Sequence, residues 1–173
     1  MSAVVIEMAK RAKALGMKVL VDFHYSDFWV DPGQQKKPDA WKNDSGDKLV
    51  DDVYAYTAKV MQDFNAQGVT PDMVQVGNEL NNGMLWPEAQ LTEDNPNGYK
   101  FLAKLLNAGL QAVHDNDKDN KVKTMIHLAG VDVNLYHTFF DNLIVKNKVN
   151  DFDIIGMSFY PFWYNGRFKK YNE

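Results

Sequence analysis

Cysteine is absent from all 173 residues, which removes disulfide frameworks, thiolate metal sites and cysteine nucleophiles together. Also missing is any apolar run approaching the roughly 18 to 20 residues that span a bilayer. The stretch from Met1 to Lys10 is short and interrupted by Glu7, so it reads as neither a membrane helix nor a signal peptide. Positive charge is not clustered: 19 Lys and Arg stand against 23 Asp and Glu, a formal net charge of −4. Such a field offers nothing to a phosphate backbone or an anionic bilayer, and neither nucleic acid nor membrane is expected as a partner. No Gly-x-Gly-x-x-Gly or Walker loop occurs, which takes away the usual reason to expect a nucleotide-binding open sheet.

What is there is an ordinary globular composition, 45% hydrophobic and 24% charged, with 10 Phe, 8 Tyr and 4 Trp. Periodicity alternates between two kinds of segment. Residues 3–15 carry Val4, Val5, Met8, Ala12 and Leu15 at helical spacing, and Gly16 follows as a stop. Residues 18–24 (KVLVDFH) are a nearly continuous apolar run of strand length. The pattern recurs as helix 47–67 and strand 73–79, helix 98–115 and strand 122–128, helix 133–148 and strand 152–160. Helices alternating with short apolar strands predict a parallel α/β sheet with right-handed crossovers. Polar and aromatic residues gather after each strand: His24 to Trp29, Asn78 and Glu79, His127, and Tyr160 to Trp163. Chemistry at the carboxyl ends of consecutive strands favours a (β/α)8 barrel over a doubly wound sheet. A whole barrel needs roughly 200 residues or more, so four strands predict a partial barrel: residues 1–173 read as a single incomplete catalytic domain, both ends resembling cuts. The unpaired edges at 18–24 and 152–160 predict self-association of such a piece.

Asn78-Glu79 at a strand end is the centre of the candidate chemistry. A glycosidase needs a carboxyl that protonates the departing oxygen, and an adjacent Asn can bind the neighbouring sugar hydroxyl. Adjacent strand residues face opposite sides, so both reach a site only if the chain turns there. His24 and His127 end two further strands. Asp22 and His24 lack a His-x-His or His-Glu-x-x-His partner, and no catalytic metal or cofactor is expected. Asp115, Asp117 and Asp119 resemble the start of a calcium loop, but Asn120 stands where its glycine belongs and Ile126 where its bidentate Glu belongs. Asn43-Asp44-Ser45 reads as a loop and helix cap. The loops 25–46 and 80–97 hold Pro32, Pro38, Pro87 and Pro96 with Trp29, Trp41 and Trp86; with Trp163, these indoles suit stacking on pyranose faces in an open groove.

DFHYSDFWVDPGQQKKPDAW at 22–41, VQVGNE at 74–79 and MSFYPFW at 157–163 resemble the endo-β-1,4-galactanases of glycoside hydrolase family 53, over about residues 3–164. The resemblance implies the third to sixth strands of a secreted or cell-surface retaining enzyme acting on β-1,4-galactan of pectin side chains. Glu79 matches the family's acid/base and Asn78 its hydroxyl-binding partner. His24, His127 and Tyr160 would line the subsite where the bond breaks, while Asp27, Trp29 and Trp163 would shape the groove and Trp86 would add a stacking face. The family's nucleophile glutamate ends its seventh strand and a supporting arginine comes from its second; neither has a match here. Glu173, 13 residues beyond Tyr160, reads as a surface carboxylate, and Tyr164-Asn165-Gly166 replaces the family's His-Gly. Other readings are a retaining enzyme for mannan, xylan or glucan, or a half-barrel that binds galactan without cutting it.

Overall fold

A computed structural model describes residues 3–162. In chain order the elements are α1 (Ala3–Ala14), β1 (Leu20–Phe23), α2 (Gly46–Ala66), β2 (Met73–Val76), the short strands β3 (Gly83–Met84) and β4 (Ala89–Gln90), α3 (Gly98–Asp115), β5 (Lys123–Ala129), α4 (Val133–Phe140) and β6 (Ile154–Ser158). The main sheet runs β1-β2-β5-β6, all parallel, while β3 and β4 form an antiparallel hairpin inside the loop after β2.

Spatial order follows chain order without reversal. A doubly wound sheet reverses direction at a switch point, whereas a barrel keeps stepping the same way. The expected partial barrel, parallel strands alternating with helices, is what the chain forms. The expected edges are also the observed ones, β1 and β6.

Alternation of side chains assigns the two faces. Val21 and Phe23, Val74 and Val76, and Thr124, Ile126 and Leu128 lie on the helix side and are buried. Against them pack Leu49, Val53, Val60, Met61 and Phe64 of α2 and Leu102, Leu105, Leu106, Leu110 and Val113 of α3, all almost fully buried. Burial of that many large side chains, at roughly 1.5–3 kcal/mol each, makes this layer the main source of stability. The opposite face carries Asp22, Gln75, Met125 and His127 in register and leads to the site.

Boundaries differ from expectation where the backbone leaves the pleat. The strand expected over 73–79 pairs only through Val76, because Gly77 takes φ 85° and Glu79 φ 50°. The helix expected over 133–148 is α-helical to Phe140 and widens to a π-helix over Asp141–Lys146. Ser45 stands at the start of α2, but its side chain makes no capping bond.

Candidate functional site

The exit of β2 builds the site. At Gly77, a side chain would come 2.7 Å from Leu80 Cδ2, so only glycine accepts both this φ and this approach. Two residues on, Glu79 is left-handed at φ 50° and ψ 57°, a conformation costing a non-glycine residue on the order of 1–2 kcal/mol. This turn is what lets Asn78 and Glu79, adjacent in sequence, both enter the polar cluster described next. Surroundings hold it in place. The buried Gln35 donates from Nε2 to Asn78 O (2.8 Å) and Glu79 O (3.4 Å), carbonyls that no longer have a strand partner. Asn81 exchanges two bonds with the backbone of Ala129, both 2.8 Å, extending the β5 edge by a side chain.

Around Glu79 runs a connected set of polar groups. Gln75 Nε2 donates to Asp22 Oδ1 (2.6 Å) and to Asn78 Oδ1 (3.2 Å). Asn78 Nδ2 donates to Val30 O (2.9 Å), which ties the strand end to the loop after β1. His127 Nδ1 stands 3.0 Å from Asn78 Oδ1 and 3.2 Å from Glu79 N. Its Nε2 is 3.0 Å from Ser158 Oγ, and Ser158 donates to Glu79 Oε1 at 2.6 Å. Among the described residues, no hydrogen bond reaches Glu79 Oε2. Burial lowers the His127 pKa and so favours the neutral ring, and the nearby charges of Glu79 and Asp22 only partly oppose it. Burial also raises Asp22, against the pull of His24, His127 and Gln75.

Gly156 is opposite His127 in register, and a side chain there would collide with the Met125 sulfur and come 3.1 Å from His127 Cδ2. Its absence makes room for the imidazole.

Of the residues singled out from sequence, Asn78, Glu79 and His127 therefore meet directly. His24 joins through Asp22: Val30 N donates to His24 Nδ1 (3.3 Å), which leaves Nε2 as the donor to Asp22 Oδ2 (3.2 Å). Trp29 stands edge-on to His24 at 5.4 Å and is 67% exposed, beside Phe28 at 75%. With Ser26, Gln34 and Lys36 these two rings line an open cavity of about 420 Å³. Asp27 serves the loop: its Oδ2 accepts from Asp39 N at 2.7 Å. Trp86 donates its indole N–H to Asn82 O (2.9 Å) within the hairpin loop. Tyr160 lies two residues past Ser158, half exposed. Trp163 falls outside the described residues.

Trp41 departs from the expectation of a groove residue. It packs on Tyr25 and Tyr56 at 6.4 and 5.9 Å and lies, partly buried, against the core. The calcium-like acids are occupied otherwise: Asp117 accepts from Val122 N, and Asp115 from Tyr54 and Gln111. Sequence reasoning missed Gln35, Gln75 and Ser158 as members of the cluster, although all three lie inside the quoted motifs.

The chain matches the family model described as Glycosyl hydrolase family 53 over residues 2–172. It is 38% identical over 162 residues to a protein of Neosartorya fischeri described as a probable arabinogalactan endo-beta-1,4-galactanase A, covering 91% of this chain and 44% of that one. An arabinogalactan endo-beta-1,4-galactanase of Thermothelomyces thermophilus is 38% identical over 161 residues, covering 91% and 47%. Among solved structures, the GH53 catalytic domain of Ignisphaera aggregans superposes with a TM-score of 0.82 at 43% identity, over 92% of this chain and 42% of that one. A fungal beta-1,4-galactanase superposes equally well, TM-score 0.82 at 34% identity, over 91% and 47%. The chain thus spans about half the length of the curated relatives it matches.

Proposed function

Because the chain belongs to glycosyl hydrolase family 53, we propose that it is the part of an endo-β-1,4-galactanase that carries the general acid/base, Glu79. The observation that supports this most is the asymmetry of that carboxyl: buried at a strand's carboxyl end, with Oε1 bound by Ser158 and Oε2 without a bond among the described residues. An acid that delivers a proton needs one oxygen left for substrate. The buried polar cluster around it favours catalysis over mere sugar binding, since polar groups away from water cost free energy that an exposed stacking groove avoids.

In this reading residues 1–173 belong to one catalytic domain and the reaction is a double displacement. Glu79 protonates the departing glycosidic oxygen while a second carboxylate, from a later strand of the longer protein, attacks the sugar carbon. Glu79 then takes a proton from the water that releases the product. Asn78, His24, His127 and Tyr160 contact the sugar at the bond that breaks, and Asp27, Trp29, Trp86 and Trp163 shape the groove. The substrate is β-1,4-galactan of the plant cell wall. A polymer too large to cross a membrane requires an enzyme working outside the cell.

The test is Glu79→Gln in the full-length protein, assayed on galactan and on an aryl galactoside with an activated leaving group. The amide cannot protonate, so galactan turnover should fall about 10²- to 10⁴-fold, while the activated substrate loses far less. Equal losses on the two substrates would remove Glu79 from the acid role.

A further inference from the structure

We infer that Ser158 is a positioning residue that decides which oxygen of Glu79 carries the transferable proton: with His127 it commits Oε1 to accepting, which leaves Oε2 to deliver. The inference rests on the reading of Glu79 as acid/base.

A carboxyl group has two chemically equivalent oxygens, and proton delivery from either requires different placement of the leaving group. Something must break that equivalence. Here three bonds form a circuit that begins and ends on one residue. Glu79 N–H points at His127 Nδ1 from 3.2 Å, and a buried backbone N–H needs its acceptor. A neutral imidazole has one donor and one acceptor nitrogen. With Nδ1 accepting, the ring proton is on Nε2, 3.0 Å from Ser158 Oγ, and the 3.0 Å approach of Nδ1 to Asn78 Oδ1 is a contact between two acceptors, not a hydrogen bond. That bond occupies a lone pair of the hydroxyl and turns its single proton to Glu79 Oε1 at 2.6 Å, a length typical of a hydroxyl on a carboxylate.

This donor suits both states of the acid/base. When Glu79 is ionised, Oε1 accepts from Ser158. When Glu79 is protonated, Oε1 still accepts, as the carbonyl oxygen, and the proton resides on Oε2. Ser158 therefore never has to reverse its hydroxyl during turnover. Placement follows from the sheet: Ser158 pairs with Ala129 and lies one inward step beyond Gly156, the residue opposite His127. β5 and β6 thus bring imidazole and hydroxyl to the same side of Glu79.

The experiment compares Ser158→Ala, Ser158→Cys and Ser158→Thr in the full-length protein, on galactan and on the activated aryl galactoside. Cysteine keeps the shape with a weak donor, and threonine keeps the hydroxyl. Expected are a fall in kcat on galactan of about 10- to 100-fold for Ala and Cys, in the range lost when a positioning group is removed. KM should change little, the activated substrate should be much less affected, and Thr should restore most of the loss. In a Glu79→Gln background, Ser158→Ala should cost no more than about twofold further, as groups acting as one unit are not additive. Full galactan activity in Ser158→Cys, equal losses on both substrates, or additive losses in the double variant would overturn the role. Glu79→Gln is run alongside: its selective loss on galactan together with unselective Ser158 variants overturns this inference alone, whereas unselective loss in Glu79→Gln overturns the acid reading and the inference with it.

Discussion

β2 has a carboxylate just outside each of its ends, and the two are treated in opposite ways. Asp72, immediately before the strand, accepts from Val19 N (2.8 Å), Lys13 (2.5 Å) and Lys18 (3.0 Å). Burial pushes its pKa up, but the two ammonium groups and the backbone N–H outweigh that and hold it well below the usual carboxylate range. Glu79, beyond the other end, has one oxygen bound and one without a bond among the described residues. The Asp72 device recurs: Asp153 before β6 accepts from Thr124 N (2.9 Å) and Lys123 (2.7 Å), just as Asp72 reaches back to the residue before β1. Acids at the amino ends tie one strand's start to the next; the acid at the carboxyl end is left incomplete. That division is the one a barrel imposes, with stability at the amino face and chemistry at the carboxyl face.

The largest effect that could break the comparison comes from removing each acid in turn from the full-length protein. Glu79→Ala should cut galactan turnover by about 10²- to 10⁴-fold with little change in melting temperature. Asp72→Ala should leave kcat within about twofold and destabilise by about 1–3 kcal/mol through the freed Val19 N–H and the lost ion pairs. A large loss of turnover in Asp72→Ala, measured with thermal melts on the same samples, would show that the two faces are not independent.

Next in size is a contrast between two tryptophans in the loop after β1. Trp41, packed on Tyr25 and Tyr56, should cost about 3 kcal/mol when replaced by alanine, near the lower end for buried aromatics because it is only partly covered. Exposed Trp29→Ala should stay within about 0.5 kcal/mol of the native stability and instead raise KM for galactan several-fold. Urea titrations and Michaelis curves on both variants decide it; a stability loss at Trp29 matching that at Trp41 would make Trp29 a packing residue.

Those tryptophans also mark where the sequence stopped being legible. Strand and helix placement could be read because apolar periodicity is local: helix 98–115 matches α3 residue for residue, and the strand cores fall where the apolar runs do. The ends could not, because Gly77 and Glu79 leave the pleat by adopting positive φ, which no hydrophobic pattern encodes. Trp29 and Trp41 look alike in sequence, and what separates them is the packing of Trp41 on Tyr25 and on Tyr56 of α2. Likewise Asn78, Glu79 and His127 were recognisable from strand-end position, whereas Ser158 meets Glu79 across 79 residues and Gln35 meets Asn78 across 43. Single polar residues inside a motif carry no sign of such distant partners.

Gln35 sharpens the comparison from the carboxyl side. Its amide supports the carbonyls of Asn78 and Glu79, so the carboxyl end of β2 depends on a donor from another loop. Gln35→Met keeps the volume and removes the donor. Leaving a buried carbonyl unpaired should cost about 1–3 kcal/mol, and turnover should fall with it because the left-handed turn at Glu79 loses its support. Unchanged stability and unchanged turnover would mean that water replaces the amide at no cost.

The smallest effect tests the amino side by pH. Asp72 has a folded pKa below its unfolded value of about 3.9, so its contribution to stability is complete above that value and is lost as pH falls through the folded pKa. Asn at this position retains an oxygen for Val19 N–H but gives up the charge that faces Lys13 and Lys18. Lys18 is 88% exposed and its share is screened, which discounts the pair to about 1 kcal/mol in all. Asp72→Asn should therefore be less stable than the native protein at pH 7, and the gap should narrow as the pH is lowered below about 4, where the aspartate of the unfolded chain takes up a proton while the folded one is still charged. Added salt should narrow it as well, through Lys18 more than through the less exposed Lys13. Urea unfolding at pH 7 and pH 3, each at low and high salt, reads both changes. A gap that widens on acidification would have the wrong sign for a depressed carboxylate, and Asp72 would then owe its place to the Val19 bond alone.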